Sequence, residues 1–390
     1  MTCYLDYNAS TPVDSRILPA VAEAHATFAN PASTHHSAGQ AAAELIEEAR
    51  SRVGSFVCRP PQDVIFTSGA SEAASIGLLG VMLGAPDRRN VVVSATEHKA
   101  IIAAAELGAR LSGGEVRRVD VDGEGLVDLD MLLALVDETV AAVAVMGANN
   151  ETGVVSPVLE VSDIVQRSGA YLFVDATQLA GKAPLEDVAE LADLMVLSSH
   201  KIYGPKGAGA LIANRQVQRT IVPIAAGGGQ ERGLRGGTQN TPSIVGFGLA
   251  AEYAMNEQLS DSVRIGALAE DLFSMIVNDV DGVVLNGSKS HRLSNTLNLQ
   301  FCGADADAVM ASMPEVMVSS GSACQSAVPS PSHVLLAMGR TSLEASESLR
   351  ISLGRPTTRD EIRVAASSIV KAVNRVRDLT ADREPINHDA

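Results

Sequence analysis

The sequence predicts an α/β fold with a large domain, in which a mostly parallel central sheet is flanked by helices, and a smaller α+β domain. Short apolar segments alternate with longer segments that carry apolar residues at helical spacing. Aliphatic residues and glycine are plentiful, whereas aromatic residues make up 3% of the chain and tryptophan is absent, which suits a parallel sheet covered by helices. Polar motifs recur just after the strands, where open α/β sheets carry their ligand sites.

The alternating pattern runs to about Thr241. We predict, in order, a helix over 37–57, a strand over 63–66, a helix that opens at 70–71 and ends at about 83, a strand over 90–94, a helix from 99, a strand over 116–119, a helix over 128–136, a strand over 139–146, a helix over 162–168, and strands over 170–174, 192–197 and 209–213.

The pattern then changes to a long helix from 242 that continues toward 276, short strands over 283–285, 295–301 and 350–353, and a last helix over 359–379. We therefore predict a large domain over 14–255 and a small domain formed by 1–13 and 256–390. The polar residues from 380 onward are expected to fray.

Composition limits the classes of function. The 390 residues are 46% hydrophobic and carry a net charge of −16, so we expect a globular protein that does not bind nucleic acid directly. No segment has membrane-spanning length, and the first residues do not resemble a signal peptide. The four cysteines, Cys3, Cys58, Cys302 and Cys324, are scattered, which predicts neither disulfides nor a metal site and favours a reducing cytoplasm. We expect Cys58 and Cys302 to be buried as small apolar side chains.

Lys201 follows the apolar run 193–197 within the segment 198–207. A lysine at the end of a buried strand is costly unless it is paired or used covalently. One covalent use is a Schiff base with pyridoxal phosphate. The alternative is a solvated lysine in a surface turn, and this segment alone does not decide between them.

Other strand ends carry residues that a pyridoxal phosphate site requires. Asp175 ends an apolar strand and could keep a pyridine nitrogen protonated, and Gln178 could donate to the ring oxygen. Ala70 and Ser71 open a helix whose backbone amides suit a phosphate, although a serine there could simply cap the helix. His98 could stack on the ring or carry protons, or it could be an ordinary histidine at a helix start.

The chain resembles the cysteine desulfurases, which are fold-type I pyridoxal phosphate enzymes of the class V aminotransferase group. The resemblance runs nearly end to end, and the segments that carry it are 4–12, 30–35, 97–100, 149–153, 174–178, 199–207, 227–233, 235–238, 319–324 and 352–355. Each motif is short, but their number and order make the assignment specific.

The resemblance implies a role for each matching residue. Lys201 would bind the cofactor aldehyde and later move the substrate α-proton. The other implied roles are Asp175 at the pyridine nitrogen, Gln178 at the ring oxygen, His98 stacked on the ring as an acid–base group, Ala70, Ser71, Ser198 and His200 at the phosphate, Thr238 reaching the phosphate from the other subunit of a homodimer, Asn150 at cofactor and substrate, and Arg355 at the substrate carboxylate.

Cys324 is the implied nucleophile, in a segment of about 319–332 rich in serine and proline that predicts a mobile, exposed loop. It would take the sulfur of L-cysteine as a persulfide, leave L-alanine, and pass the sulfur to an acceptor protein for iron–sulfur cluster assembly, tRNA thiolation or DNA phosphorothioation. Gln325, Ser199 and Ser71 depart from common family residues. A class V aminotransferase, a selenocysteine lyase and a non-catalytic scaffold are the alternatives.

Overall fold

A seven-stranded sheet organises the computed structural model, which describes residues 2–320 and 331–381. The chain starts with the short strand β1 (Cys3–Tyr4). The strands of the large sheet are, along the chain, β2 (Val64–Thr67), β3 (Asn90–Ser94), β4 (Val116–Val119), β5 (Val140–Ala144), β6 (Tyr171–Asp175), β7 (Leu194–Ser198) and β8 (Gly209–Ala213). Their spatial order is β2-β8-β7-β6-β5-β3-β4. β8 alone runs antiparallel to both of its neighbours, so the sheet is mostly parallel.

Helices cover both faces of this sheet. They are α1 (Leu18–Ala26), α2 (Ser37–Phe56), α3 (Ala70–Ala74), which continues through a π-helical turn (Ser75–Leu79) into α4 (Gly80–Gly84), α5 (Lys99–Ser112), α6 (Leu129–Leu135), α7 (Val158–Ser168), α8 (Glu186–Leu191) and α9 (Arg215–Thr220). Alternate residues of one strand serve opposite faces: Val92 joins one apolar cluster, and Val91 and Val93 join the other. Burial on both faces explains why the strands are continuous apolar runs.

The C-terminal part begins with the 39-residue helix α10 (Thr241–Asp279). Its remaining elements are β9 (Val283–Leu285), β10 (Thr296–Phe301), α11 (Ala306–Ser312), β11 (Val316–Met317), β12 (Ser319–Ser320), α12 (His333–Ala337), α13 (Ser342–Ser346), β13 (Ser348–Ser352) and α14 (Arg359–Ala381). β12, β13, β10 and β9 form an antiparallel sheet, and β1 pairs with β11. In the described residues, no helix is both long and apolar enough to span a bilayer.

The apolar clusters support the predicted division of the chain near residue 255, which stays a prediction. The first half of α10, including Phe247, packs in the cluster of the large sheet, and its second half, including Leu272, packs with the small sheet. Leu5 joins that second cluster. Val334 and Ala345, in contrast, pack against the large-sheet cluster. The segment around α12 and α13 therefore belongs structurally with the large sheet.

The predicted fold class is confirmed, and β3, β4, β8 and β9 have the predicted bounds. α7 begins four residues before the predicted start, directly after Pro157, where a proline is tolerated at a helix N-terminus. The prediction that Cys58 and Cys302 are buried is wrong. Both are exposed, because Cys58 lies in the turn after α2 with a φ of 52° and Cys302 lies in the turn after β10.

Candidate active site

The carboxyl ends of β2, β3, β5, β6 and β7 surround a cavity of about 480 Å³. Nine of the residues implied by the sequence line it, namely Ala70, Ser71, His98, Asn150, Asp175, Gln178, Ser198, His200 and Lys201. Parallel strands end at one edge of their sheet, so residues far apart in sequence converge there.

Lys201 lies in this cavity and not in a solvated surface turn. β7 ends at Ser198, and a short 3₁₀ turn, Ser199–Lys201, points the lysine back toward the N-terminal segment. Its Nζ donates to the backbone carbonyl oxygens of Asn8 at 2.5 Å and Ala9 at 2.8 Å. The ammonium is thus held by neutral acceptors at the rim of a space large enough for a small molecule.

Two polar side chains follow β6 on the same side. Asp175 is 7% exposed, and its Oδ1 accepts a hydrogen bond from the backbone N–H of Thr177 at 2.9 Å. Gln178 is buried, and its Nε2 donates to the Asn8 carbonyl oxygen at 3.0 Å. The Thr177 hydroxyl also lines the cavity and has no hydrogen-bond partner among the described residues. A buried unpartnered hydroxyl marks a place where a ligand can supply the missing bond.

His98 both lines the cavity and caps α5. Its Nδ1 accepts from the backbone N–H of Ala100 at 3.1 Å, which places the proton of the neutral ring on Nε2. Burial lowers the pKa of His98, and Lys201 and Lys99 act in the same direction, although Asp175 opposes them. The ring is therefore neutral around pH 7 and able to donate from Nε2.

One end of the cavity is formed by the start of α3. Gly69 precedes the helix, and no side chain caps it, so the N–H groups of Ala70 and Ser71 are not used by the helix. The alternative in which a serine caps this helix is thus ruled out. A Cβ on Gly209 would lie 2.6 Å from the Cα of Gly69, so glycines allow this loop to approach β8 closely.

His200 supports the same end of the cavity. Its Nδ1 lies 3.2 Å from the Ser10 hydroxyl. Burial lowers the pKa of His200 to about 4, with further contributions from Lys201, Lys206 and Lys182. The His200 imidazole is therefore neutral. The positive charges that face an anionic ligand in the cavity are those of Lys201 and Lys206.

The structure does not bring Arg355 to the cavity. Its guanidinium binds Asp261 at 2.6 Å and Asp14 at 3.4 Å, and it stacks over the ring of Tyr203. The backbone N–H of Arg355 also donates to the Tyr203 hydroxyl at 2.7 Å. Arg355 is therefore bound by acidic partners and by the turn that follows Lys201, and its predicted contact with a substrate carboxylate stays a prediction.

Arg350 is the arginine of the cavity, and the sequence analysis missed it. It is 3% exposed, donates to Asp6 Oδ1 at 2.7 Å and to the Asn150 carbonyl oxygen at 3.2 Å, and its Nε has no partner among the described residues. The available signal was an arginine between the aliphatic residues Leu349 and Ile351, since a buried arginine is rare without an anionic partner.

Glu151 is a second residue that the sequence analysis did not single out. Its Oε2 accepts from the Ser332 hydroxyl at 2.5 Å, and the side chain lines the cavity. Burial raises the pKa of Glu151 to about 7, while Ser332, Arg350 and Lys99 pull it down.

Of the two remaining predicted residues, the structure describes Thr238 alone. Thr238 is exposed and does not line the cavity of this chain. Cys324, Gln325 and most of the predicted loop fall outside the described residues. The ends that are described are Ser319–Ser320 in β12 and Ser332, whose hydroxyl caps α12 by accepting from the Leu335 N–H.

The residues present fit pyridoxal phosphate. The cavity offers a lysine amine, a buried carboxylate, uncapped backbone N–H groups, an unpartnered hydroxyl and a neutral imidazole. These are the groups needed to bind an aldehyde, a pyridine nitrogen, a phosphate and a flat ring.

Comparisons with known proteins agree with a pyridoxal phosphate site. Residues 3–364 match the family model of the aminotransferase class-V proteins. A cysteine desulfurase of Frankia sp. is 46% identical over 393 residues, covering 97% of this chain and 92% of that protein. A NifS-like protein superimposes with a TM-score of 0.88 at 33% identity, covering 96% of this chain and 100% of its own.

SspA, solved in complex with cysteine, superimposes with a TM-score of 0.80 at 31% identity, covering 90% of this chain and 99% of its own. The bound cysteine is a property of the SspA complex. The predicted family is confirmed by likenesses that extend over nearly the whole length: the chain belongs to the aminotransferase class-V family and, within it, to the pyridoxal phosphate-dependent cysteine desulfurases.

Proposed function

We propose that the cavity binds pyridoxal phosphate at Lys201 and L-cysteine beside it, and that the substrate sulfur passes to the thiol of Cys324 and then to an acceptor protein. The observation that carries this proposal is that Lys201, Asp175 and Arg350 line one cavity at the carboxyl ends of the sheet. The Lys201 amine binds the cofactor aldehyde, and the Asp175 carboxylate binds the ring nitrogen of the cofactor. The Arg350 guanidinium binds the substrate carboxylate.

The chain's own groups hold the cofactor. Lys201 binds the aldehyde, Asp175 the ring nitrogen and Gln178 the ring oxygen, while Ala70, Ser71, Ser198 and His200 hold the phosphate. When bound, the cofactor supplies an electron sink that weakens the bonds at the substrate α-carbon. Thr238 is exposed, which suits the prediction that it completes the phosphate site of a second copy of this chain in a homodimer.

Substrate binding is assigned to Arg350 and Asn150. The Nε of Arg350 is a buried donor without a partner among the described residues, and a guanidinium binds a carboxylate through two parallel hydrogen bonds. Asp6 and the Asn150 carbonyl already hold the Nη atoms, so the side chain is oriented before substrate arrives.

Proton movement is assigned to Lys201 and His98. Lys201 accepts the substrate α-proton, because its amine lies in the cavity. Hydrogen bonds to the carbonyl oxygens of Asn8 and Ala9 orient that amine. His98 carries its proton on Nε2 and donates it within the cavity.

Transfer of sulfur from the substrate to Cys324 needs no external oxidant or reductant. The Cys324 thiolate attacks the substrate sulfur, so an S–S bond forms and the C–S bond breaks. The electron pair of the C–S bond stays on carbon, which takes up a proton, and the products are L-alanine and a persulfide on Cys324.

Delivery to an acceptor protein follows from the persulfide. The acidic net charge of −16 favours delivery through protein contacts over direct contact with nucleic acid. Iron–sulfur cluster assembly, tRNA thiolation and DNA phosphorothioation are the routes compatible with this chemistry, and a reducing cytoplasm would keep the nucleophilic thiol available.

Product analysis tests the proposal. The purified protein should be yellow, borohydride should bleach it, and incubation with L-cysteine should yield L-alanine. 3-Mercaptopyruvate, formed with transfer of the amino group to the cofactor, would indicate an aminotransferase, and turnover of selenocysteine but not cysteine would indicate a selenocysteine lyase. Either result would overturn the proposed reaction.

A further inference from the structure

Lys182 is a lysine that the proposed reaction does not use. It follows β6 by seven positions and lies in the turn that leads to α8. Its Nζ donates to the side-chain oxygen Oε1 of Gln178 at 2.6 Å and approaches the Gln178 backbone oxygen at 3.3 Å. Among the described residues, no carboxylate forms an ion pair with it. A lysine with only a neutral amide for a partner invites a functional explanation.

Gln178 is held from both ends. Its Nε2 donates to the Asn8 carbonyl oxygen, and its Oε1 accepts from Lys182. A carbonyl can only accept and an ammonium can only donate, so the two contacts impose the same orientation on the amide. The second N–H of Nε2 has no acceptor among the described residues, and Gln178 lines the cavity.

The same carbonyl of Asn8 also accepts from Lys201. Lys182, Gln178, Asn8 and Lys201 therefore form one continuous chain of hydrogen bonds behind the cavity. Lys182 and Lys201 also share the small second cavity next to it. Without Lys182, the Gln178 amide would lose one of the two contacts that distinguish its oxygen from its nitrogen, and its oxygen would have no donor among the described residues.

We propose that Lys182 is a positioning residue that fixes the Gln178 amide so that an N–H, and not the carbonyl oxygen, faces the cofactor ring. The inference rests on the proposed function, in which Gln178 donates to the ring oxygen. An N–H donated there stabilises negative charge on the ring oxygen. The pKa of the neighbouring proton is thereby lowered. Burial, with the nearby Lys201 and Arg350, lowers the pKa of Lys182 to about 7, and the amine donates to Gln178 in either protonation state.

The test follows the visible absorbance band of the cofactor-loaded protein across pH. Lys182→Met keeps the stem of the side chain and removes the donor, and it should raise the pH midpoint of the band by roughly one unit, the size expected for one lost hydrogen bond to a charged group. Lys371→Met, at an exposed position on α14, is the matched control and should leave the midpoint unchanged.

A double variant separates positioning from other effects. Gln178→Leu should raise the midpoint by a similar amount, and adding Lys182→Met to it should change nothing more. Lys182→Arg, which keeps a cationic donor, should restore the wild-type midpoint. Lys182→Leu is a second neutral variant with the same expectation as Lys182→Met, and cofactor dissociation constants measured by fluorescence should weaken in parallel.

Three results would overturn the inference. These are an unchanged midpoint in both neutral variants, a full-sized further shift in the Gln178→Leu background, or no recovery in Lys182→Arg. If the wild-type protein showed no borohydride-sensitive visible band, the proposed function itself would fail. A normal wild-type band with an unresponsive Lys182 refutes this inference alone.

Discussion

Replacing Arg350 by glutamine should weaken binding of L-cysteine far more than replacing Arg355 by glutamine. Arg350 is 3% exposed and lines the cavity, whereas Arg355 is bound by Asp261 and Asp14 outside it. A hydrogen bond between charged groups contributes about 1.5–3 kcal/mol. Since about 1.4 kcal/mol corresponds to a tenfold change in affinity, we expect Arg350→Gln to raise KM roughly 10–100-fold.

The assay is the initial rate of L-alanine formation as a function of L-cysteine concentration, with melting temperature measured on the same samples. Arg355→Gln should keep KM within about threefold of wild type but should lower the melting temperature, because Asp261 and Asp14 lose their partly buried cation. The backbone bond from Arg355 to the Tyr203 hydroxyl survives the substitution. A KM increase in Arg355→Gln as large as that in Arg350→Gln would refute the assignment.

Two further predictions concern stability. Burial raises the pKa of Glu151 from 4.5 to about 7, so the stability it contributes is present below pH 4.5 and is lost as the pH rises through about 7. Glu151→Gln, which still accepts from Ser332, should be more stable than wild type at pH 8 by up to about 3 kcal/mol, and equal to it at pH 4; urea unfolding at both pH values checks this, and a difference that does not depend on pH would contradict it. A Cβ on Gly204 would lie 2.0 Å from Ser199 Oγ, so Gly204→Ala should destabilise by about 1–3 kcal/mol. Adding Ser199→Gly should recover most of the loss, and equal destabilisation of single and double variants would refute the contact.

The residues that line the cavity were predictable because strand ends are visible in the sequence. Asp175 and Lys201 each follow an apolar run, and parallel strands must bring such ends together. The resemblance to a known family then supplied the roles. The fold class was predictable from the order of the elements, because short apolar strands alternate with amphipathic helices.

The two arginines show where sequence reasoning fails. Both lie near the end of β13, and nothing local distinguishes the one that faces a cavity from the one that faces acids. The choice depends on contacts from distant parts of the chain: Asp6 lies 344 residues before Arg350, and Asp14 lies 341 residues before Arg355. The pairing of Lys182 with Gln178 was similarly hidden, because a lysine in a polar turn is ordinarily solvated.

The exposed cysteines fail for a related reason. Cys58 comes two positions beyond α2, and Cys302 comes one position beyond β10. At such ends a shift of a single residue moves a side chain from the core to the surface. Element ends are the least predictable part of a fold.

The central claim is that Cys324 receives the sulfur atom that Lys201 helps to release. The most direct measurement is mass spectrometry of the cofactor-loaded protein after a single turnover with L-cysteine, without a reductant. The account predicts one additional sulfur atom on the peptide that contains Cys324, L-alanine in equal amount, and neither product in Cys324→Ser, whose visible cofactor band is unchanged. Full L-alanine formation by Cys324→Ser, or sulfur found on Cys58 or Cys302 in its place, would contradict it.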